Sequence, residues 1–478
     1  IPMMRSAKFP NHIAGGITAA AAAGGALVPP VMGAGAYMML ELVQPQVTFL
    51  AIMKAAVLPA ILYYFSILVL VFLYSRRLGT EKLSADELRK KKLKGFEATV
   101  FFAALGTLIG LLICGFSPFR SVTGALSVIL VFAIFRRELN ISKTERRLAF
   151  AVFVVAIVVS QLCVSFHDGF PKILQPFVPG TWVDPRTDAI SGLLMTSSFL
   201  DSMLLGMFGL LVVGMLMPGW RPEIVSSMTK SAKNGIALVA ASACVGIIIG
   251  IVQQTGIATD FSATIKGVVD TNLFLALVGI MVCSLILGMG VPSVVCYLLM
   301  ATLMGSLLGE LGVQPLVAHL FIFYFGMMSM VTPPVALAGY ASASIAEAPM
   351  MKTSFAAFRF SLVGFTLPFM FVYRPALCLM APPGGELTAL AVVHALLAAT
   401  IGILALATGL AGYLRRTLGM LERVAMFISA GLLLAPISKI GETDVGLAVD
   451  VAGALLFLGA VAANLLIGKQ DTPTMEPA

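Results

Sequence analysis

"SMVTPPVALAGY" occupies Ser329–Tyr340, in the middle of a long apolar stretch. Its two adjacent prolines remove two backbone donors and break any helix that carries them. In hydrocarbon, each unpaired backbone group is costly unless protein or trapped water satisfies it. A break at such depth must therefore line something. "GGALVPPVMGAGAY", at Gly24–Tyr37, poses the same problem near the start of the chain.

The surroundings set the class. Of 478 residues, 59% are hydrophobic and 11% charged, and the mean hydropathy is +1.00; a soluble domain carries roughly a quarter charged residues. Phe101–Leu112, Ala149–Val159 and Leu204–Met217 lie inside apolar segments long enough to cross about 30 Å of hydrocarbon. Long runs without period-two alternation predict helices rather than a barrel. The expected fold class is an all-α polytopic membrane protein.

Apolar segments fall at about 12–28, 31–43, 48–74, 98–116, 119–135, 147–165, 190–217, 235–253 and 272–289, with more to 467. Loop charge orients them. The loop 76–94 carries eight Lys and Arg residues, 136–147 carries five, and 218–233 carries Arg221, Lys230 and Lys233. The loops between them, 117–120 and 166–190, are poor in both for their length, so the rich loops are placed in the cytoplasm. Loop 166–190 then faces outward, while Arg415, Arg416 and Arg423 put 414–423 inside, with the tail 468–478. "SADELRKKKLKGFEA" reads as a solvated cytoplasmic linker, with a nucleic-acid or lipid patch as the alternative.

Other chemistry is absent from the pattern. The six cysteines show no CxxC spacing and read as core-filling thiols. The four histidines form no metal-ligand pattern, and His319 reads as a hydrogen-bonded packing residue. There is no HExxH, no phosphate-cradling glycine motif opening a soluble domain, and no Ser/His/Asp set. We therefore expect no enzyme and no nucleic-acid partner. Asp201 is a candidate by virtue of its depth, although Thr196, Ser197 and Ser198 can satisfy it locally. Lys54 and Arg359 read as snorkelling from helix ends.

The two proline pairs match beyond the prolines. Leu27-Val28-Pro29-Pro30-Val31 parallels Val331-Thr332-Pro333-Pro334-Val335, and small residues follow each pair. Two similar discontinuous helices point to a transporter built from repeats, whose broken backbone lines a cavity where free carbonyls coordinate a cation. Before the second copy, "LILGMGVPSVVCYLLMATLMG" places Gly288, Gly290 and Pro292 within an apolar run, with the Ser293 hydroxyl directly after. Glycine permits a sharp turn and proline blocks helix continuation. We read a re-entrant hairpin whose tip meets the Thr332 break. The same offset before Pro30 falls ahead of Ile1, and "IPMMRSAKFP" shows no signal-peptide layout. A first hairpin is therefore expected to precede this segment in the intact protein.

With these motifs in hand, the chain resembles the membrane component of TRAP transporters. The stretches are "IPMMRSAKFPNHIAGGITAAAAAGGALVPPVMGAGAYMMLE", "LILGMGVPSVVCYLLMATL" and "AHLFIFYFGMMSMVTPPVALAGYASASIA". It looks most like the fused form, in which small and large permease subunits share one chain. The matching blocks cover roughly 1–75, 220–380 and, more loosely, the tail, whereas 146–219 matches poorly.

The resemblance implies an elevator-type transporter with inverted repeats, each carrying a hairpin and a broken helix. It would use Na+ as coupling ion to import an organic anion, usually a carboxylate, delivered by an extracytoplasmic solute-binding protein. Its place would be the cytoplasmic (inner) membrane of a bacterium or archaeon, in contact with membrane lipid. The positions matching sodium and substrate contacts are Gly288, Gly290, Pro292 and Ser293 at the hairpin, and Ser329, Thr332, Pro333 and Pro334 at the second break. The first break offers Gly25, Pro29, Pro30 and Gly33. Sodium is expected at Ser293, Thr332 and Pro333, mostly on carbonyl oxygens. The family commonly has threonine after the hairpin proline, and Ser293 keeps the hydroxyl.

The implied organisation is a first-repeat end at 1–75, a basic linker at 76–97, connecting helices at 98–234, a second repeat at 235–380 with its hairpin at about 284–309, and terminal helices at 381–478. Two alternatives remain open at this point: a divalent-anion symporter working without a binding protein, and a non-transporting membrane scaffold subunit.

Overall fold

A computed structural model describes residues 1–30, 32–79, 95–114, 116–135, 142–165, 196–256, 272–289, 291–382, 385–434, 439–440, 443–444 and 446–466. The apolar segments fold as helices. They are α1 (Pro2–Ser6), α2 (Asn11–Gly25), α3 (Gly33–Leu42), α4 (Phe49–Leu78), α5 (Gly95–Ile113), α6 (Pro118–Phe135), α7 (Lys143–Ser165), α8 (Thr196–Leu216) and α9 (Arg221–Thr255). There follow α10 (Leu273–Leu287), α11 (Ser293–Glu310), α12 (Pro315–Met328), the 3-10 turn η1 (Ser329–Val331), α13 (Leu337–Ala346), α14 (Met350–Phe360), α15 (Val363–Tyr373) and the turn η2 (Pro375–Cys378). The chain closes with α16 (Ala389–Ala411), α17 (Met420–Leu434) and α18 (Gly446–Leu466), with the two-residue strands β1 (Lys439–Ile440) and β2 (Thr443–Asp444) paired between the last two.

Among the described residues, five stretches are long and apolar enough to cross a membrane: Phe49–Leu78, Gly95–Ile113, Met350–Tyr373, Ala389–Ala411 and Gly446–Leu466. The chain is an all-α polytopic membrane protein. Local signals fix the helix ends. Thr48 Oγ1 accepts from the Ala51 amide and Thr388 Oγ1 from the Ala391 amide, both at 3.2 Å, satisfying amides that a first turn leaves without partners. Gly412 closes α16 at φ +63°, a left-handed position that glycine takes without a Cβ penalty.

One expectation changes. Residues 218–233 carry charge as a loop would, yet from Arg221 onward they belong to α9. Pro222 suits a first helical turn, and Arg221, Lys230 and Lys233 all lie exposed on the helix. The loop 166–190, expected to face outward, residues 80–94 of the basic linker and the tail from 467 lie outside the described residues, as does the Asp201 side chain.

Residues 88–240 form one compact unit. In it α7 packs along α8, and α6 packs on α5 and α8, around Ile134, Ala149, Phe153, Leu210, Met217 and Trp220. Residues 1–87 and 241–478 form the other. There α12 is buried at every position from Leu316 to Met328, so its apolar composition on all sides makes it a central helix. Phe321 meets Phe325 and Phe369 edge to face, with ring centroids 4.9 and 5.4 Å apart; such pairs add about 0.5–1.5 kcal/mol each beyond area burial.

Lipid tails are as apolar as leucine, so helices in a bilayer associate through close packing and polar contacts. The small residues of α2 serve the first need. A Cβ on Gly16 would lie 2.5 Å from Ala356 Cβ and 2.8 Å from the Ala357 amide nitrogen on α14. Polar ties serve the second. Arg374, after α15, donates to Asp450 Oδ1 on α18 at 2.8 Å, and His394 Nε2 on α16 lies 3.1 Å from Asp450 Oδ2.

Gly16→Ala should therefore cost about 1–3 kcal/mol, because backbone atoms of α14 cannot rotate aside. Gly110→Ala on α5, where a Cβ would meet nothing within 4 Å, should stay within about 0.5 kcal/mol. Thermal unfolding of the detergent-purified protein tests both. Arg374→Met should cost about 3–5 kcal/mol by taking the guanidinium from the buried Asp450 carboxylate and leaving it only His394, and adding Asp450→Leu should recover most of that loss. Losses that simply add in the double variant would refute the pairing.

Candidate functional site

Two broken helices form the centre of the larger unit, and they break alike. The first halves open at Asn11 and Pro315, and the second halves open at Gly33 and Leu337. Every matched position keeps the same spacing along the chain. At the foot of each break, a long bond runs from the Val28 amide to the Gly25 carbonyl (3.4 Å) and from the Thr332 amide to the Ser329 carbonyl (3.3 Å). Past each proline pair, Met32 donates to the Val28 carbonyl and Ala336 to the Thr332 carbonyl, both at 3.1 Å. Met32 and Ala336 both take positive φ, +27° and +25°, a region that residues with a Cβ seldom occupy.

The broken helices lie side by side and run in opposite directions. Arg5, before α2, pairs with Glu347, after α13, at 3.1 Å. A Cβ on Gly15 would lie 3.2 Å from Ala346 Cβ, and one on Gly35 in α3 only 2.3 Å from the Phe323 ring in α12. α2 also touches η1, so the two breaks adjoin. From α4, the Tyr63 and Tyr64 hydroxyls donate to the Ala20 and Ala21 carbonyls at 2.9 and 2.7 Å, pinning the turn that leads into the first break.

The turn between α10 and α11 lies against the second break at Ser329 and Gly326. α10 and α11 are its arms, tied by the Cys296 thiol donating to the Ser284 carbonyl at 3.2 Å. At the tip, Ser329 Oγ lies 3.2 Å from the Gly288 carbonyl and 2.8 Å from the Gly326 carbonyl. A Cβ on Gly288 would fall 2.4 Å from Ser329 Oγ; only glycine allows this approach. The Ser293 carbonyl lies against α12, 3.3 Å from where a Cβ on Gly326 would sit.

Oxygen chemistry follows from this placement. A proline pair deletes the amides that would reach the carbonyls four residues back, those of Gly25 and Ala26 in one copy and of Ser329 and Met330 in the other. The Thr332 hydroxyl gives its proton to the Met328 carbonyl at 2.7 Å, so toward any further partner its oxygen acts as an acceptor. Ser329 has one proton for two carbonyls, so the second break concentrates acceptor oxygens. The first break has Gly25 and Val28 at the matching positions and offers backbone oxygen alone. Among the described residues, no cluster of three His, Cys, Asp or Glu side chains forms a metal site. What the arrangement suits is a hard monovalent cation held by peptide and hydroxyl oxygens.

The structure thus brings Gly288 to Ser329 and the Ser293 carbonyl to Gly326, three residues before it, and Thr332, Pro333 and Pro334 continue the second break. Pro292 sits exposed just before α11, and Gly290 lies outside the described residues. Gly25, Pro29, Pro30 and Gly33 form the first break, where a Cβ on Gly25 would have the Tyr64 hydroxyl 3.9 Å away. Sequence reasoning missed Gly326, a lone glycine in the aromatic run "FIFYFGMM" whose partner lies far away along the chain. Tyr340, which closes the second proline run, donates its hydroxyl to the Pro334 carbonyl. His319 is a packing residue as expected, with Nδ1 2.8 Å from the Tyr297 hydroxyl.

The family model described as the DctM component of the tripartite ATP-independent periplasmic transporter matches residues 1–181 and 186–383. No curated protein and no solved structure matches the chain. The family match runs through most of 146–219, where the motifs gave little, and stops short of the tail. Both broken helices and the hairpin fall inside the matched residues, and the chain belongs to the DctM family of TRAP transporter permeases.

Proposed function

We propose that the protein is a sodium-coupled importer of a small organic anion, a carboxylate, handed over by an extracytoplasmic solute-binding protein at the cytoplasmic membrane of a bacterium or archaeon. The observation that carries this reading is the Ser329 hydroxyl bridging the hairpin tip at Gly288 and the helix break. One small movement of the tip would open or close the oxygen cluster.

In this mechanism Na+ enters between the Ser293–Gly288 tip and the Ser329–Thr332 break, replacing its water with carbonyl and hydroxyl oxygens. The bound cation draws those oxygens inward and so orders the tip. α3, α11 and α13 begin directly after the two breaks and the hairpin turn, and helix dipoles place partial positive charge at such ends, which favours a carboxylate next to the ion. A second Na+ at the first break would rest on backbone oxygen only. The ordered core then moves the substrate across against a fixed scaffold, in the elevator manner. Running the two broken helices in opposite directions supports this, because such a pair presents similar breaks toward both sides of the membrane.

Ser293→Ala with Thr332→Ala, made in the intact transporter, should abolish sodium-dependent uptake while membrane insertion stays normal. A hydrogen-bonding group facing a charge contributes about 1.5–3 kcal/mol. Losing two such groups should therefore weaken sodium affinity at least about a hundredfold. Uptake against sodium concentration in proteoliposomes containing the binding protein is the measurement. A half-saturating sodium concentration equal to that of the parent would remove the assignment.

A further inference from the structure

Serines and threonines inside the helices of this chain satisfy themselves. Thr302 of α11 donates its hydroxyl to the Leu298 carbonyl at 2.8 Å, Ser354 of α14 to the Met350 carbonyl at 2.9 Å and Thr408 of α16 to the Leu404 carbonyl at 2.7 Å. This bond to the residue four earlier is open to any hydroxyl in an apolar helix. Ser284, in the last turn of α10, is fully buried. Its hydroxyl nevertheless has no hydrogen-bond partner among the described residues. An unmet hydroxyl is costly in an apolar interior, and such a group calls for a partner from outside its own helix.

The position of Ser284 indicates that partner. Gly288 continues the helical path one turn later, at φ −79° and ψ −8°, and residues four apart share a helix face. A Cβ on Gly288 would fall 2.4 Å from Ser329 Oγ and 2.8 Å from the Ser284 carbonyl oxygen. Ser284 therefore lies on the face of α10 that meets the second break, one turn beneath the hairpin tip. A helical side chain leans over the turn before its own Cα, so any residue but glycine at 288 would cover it. The Ser284 carbonyl is already used twice, by the Gly288 amide at 2.9 Å and by the Cys296 thiol at 3.2 Å. The spare capacity of this residue is in its hydroxyl.

We infer that the Ser284 hydroxyl is a further oxygen of the sodium site, one that the ion recruits from beneath the tip. The inference rests on the sodium reading above and adds a residue to it. Its oxygen would face the cation, and its proton would go to the Ile280 carbonyl, the acceptor four residues back. Ser329 and Thr332 already spend their protons on carbonyls, so a third hydroxyl oxygen joins acceptors of the same kind. A hydroxyl left unmet without the ion and met with it favours the loaded tip over the unloaded one.

The test follows the unfolding temperature of the intact transporter in neutral detergent as sodium chloride replaces choline chloride at constant ionic strength. Ser284→Ala removes a hydroxyl that nothing satisfies, so without sodium the variant should be at least as stable as the parent. It should then need at least about tenfold more sodium for the same rise in unfolding temperature, the worth of one oxygen facing a charge. Ser284→Cys, similar in size but with a soft sulfur in place of oxygen, should shift the sodium requirement the same way. Thr302→Ala, which removes a hydroxyl satisfied within its own helix, should leave it unchanged. An equal sodium response in the parent and Ser284→Ala overturns the inference and leaves the sodium site standing. So does a loss of stability in Ser284→Ala that is the same with and without sodium, which marks a structural hydroxyl. No sodium response in the parent removes the site itself, and the role of Ser284 with it.

Discussion

A peptide carbonyl that loses its helical donor inside hydrocarbon must find another partner, and the rest of this structure is arranged around four that lose theirs. The proline pairs at Pro29-Pro30 and Pro333-Pro334 remove the donors for Gly25, Ala26, Ser329 and Met330. Long bonds from Val28 and Thr332 recover part of that loss at Gly25 and Ser329. Placing the breaks side by side, in opposite directions, concentrates the remaining acceptor capacity in one region instead of spreading it through lipid.

Such a region must be held rigidly, since a cation site that is 1 Å too loose binds little. Small residues and aromatics divide that task. Glycine and alanine in α2 let α13 and α14 approach to backbone contact, while α12 is wrapped by phenylalanine rings on either side of the same level. The hairpin reaches the break only because Gly288 has no side chain to meet Ser329. The two copies nevertheless differ chemically. Val28 and Thr332 are near isosteres, so backbone geometry is shared while hydroxyl chemistry belongs to the second break.

Much of this was legible in the sequence because proline, glycine and apolar length act locally. Paired prolines break a helix wherever they sit, so both breaks, and the hairpin around Gly288 and Pro292, could be placed from residues alone. Apolar length gave the membrane class for the same reason. Pairings between distant segments were less readable. Nothing in "FIFYFGMM" says that Gly326 will face the Ser293 carbonyl, and nothing near Arg359 says that its side chain will cap α16 about fifty residues on. Charge also misled once: Arg221, Lys230 and Lys233 suggested a loop, but exposed charges suit a surface helix equally well, and no proline or glycine interrupts residues 223–233. The middle of the chain carries the family pattern without a motif, because its helices are defined by apolar packing that many side chains satisfy.

The terminal helices show what replaces the hydrophobic effect when both sides of an interface are apolar. α18 is long enough to span the membrane, yet only 17% of its most apolar window is buried. Burial alone cannot fix its position, since lipid solvates the remainder equally well. Polar ties do so at three heights: Arg374 and His394 on Asp450 near its start, Ser429 Oγ donating to the Gly453 carbonyl at 2.7 Å, and Asn464 between Glu422 and the Arg415 amide near its end. α16 is held likewise, by His394 at one end and, at the other, by Arg77, Arg359 and Arg423 on its last carbonyls. Residues beyond the family match are thus fastened by side chains that cost free energy in hydrocarbon unless paired. The pairing specifies where α16–α18 sit, as the proline pairs specify where the unpaired backbone oxygens sit. In both places a polar requirement, not apolar area, selects the arrangement.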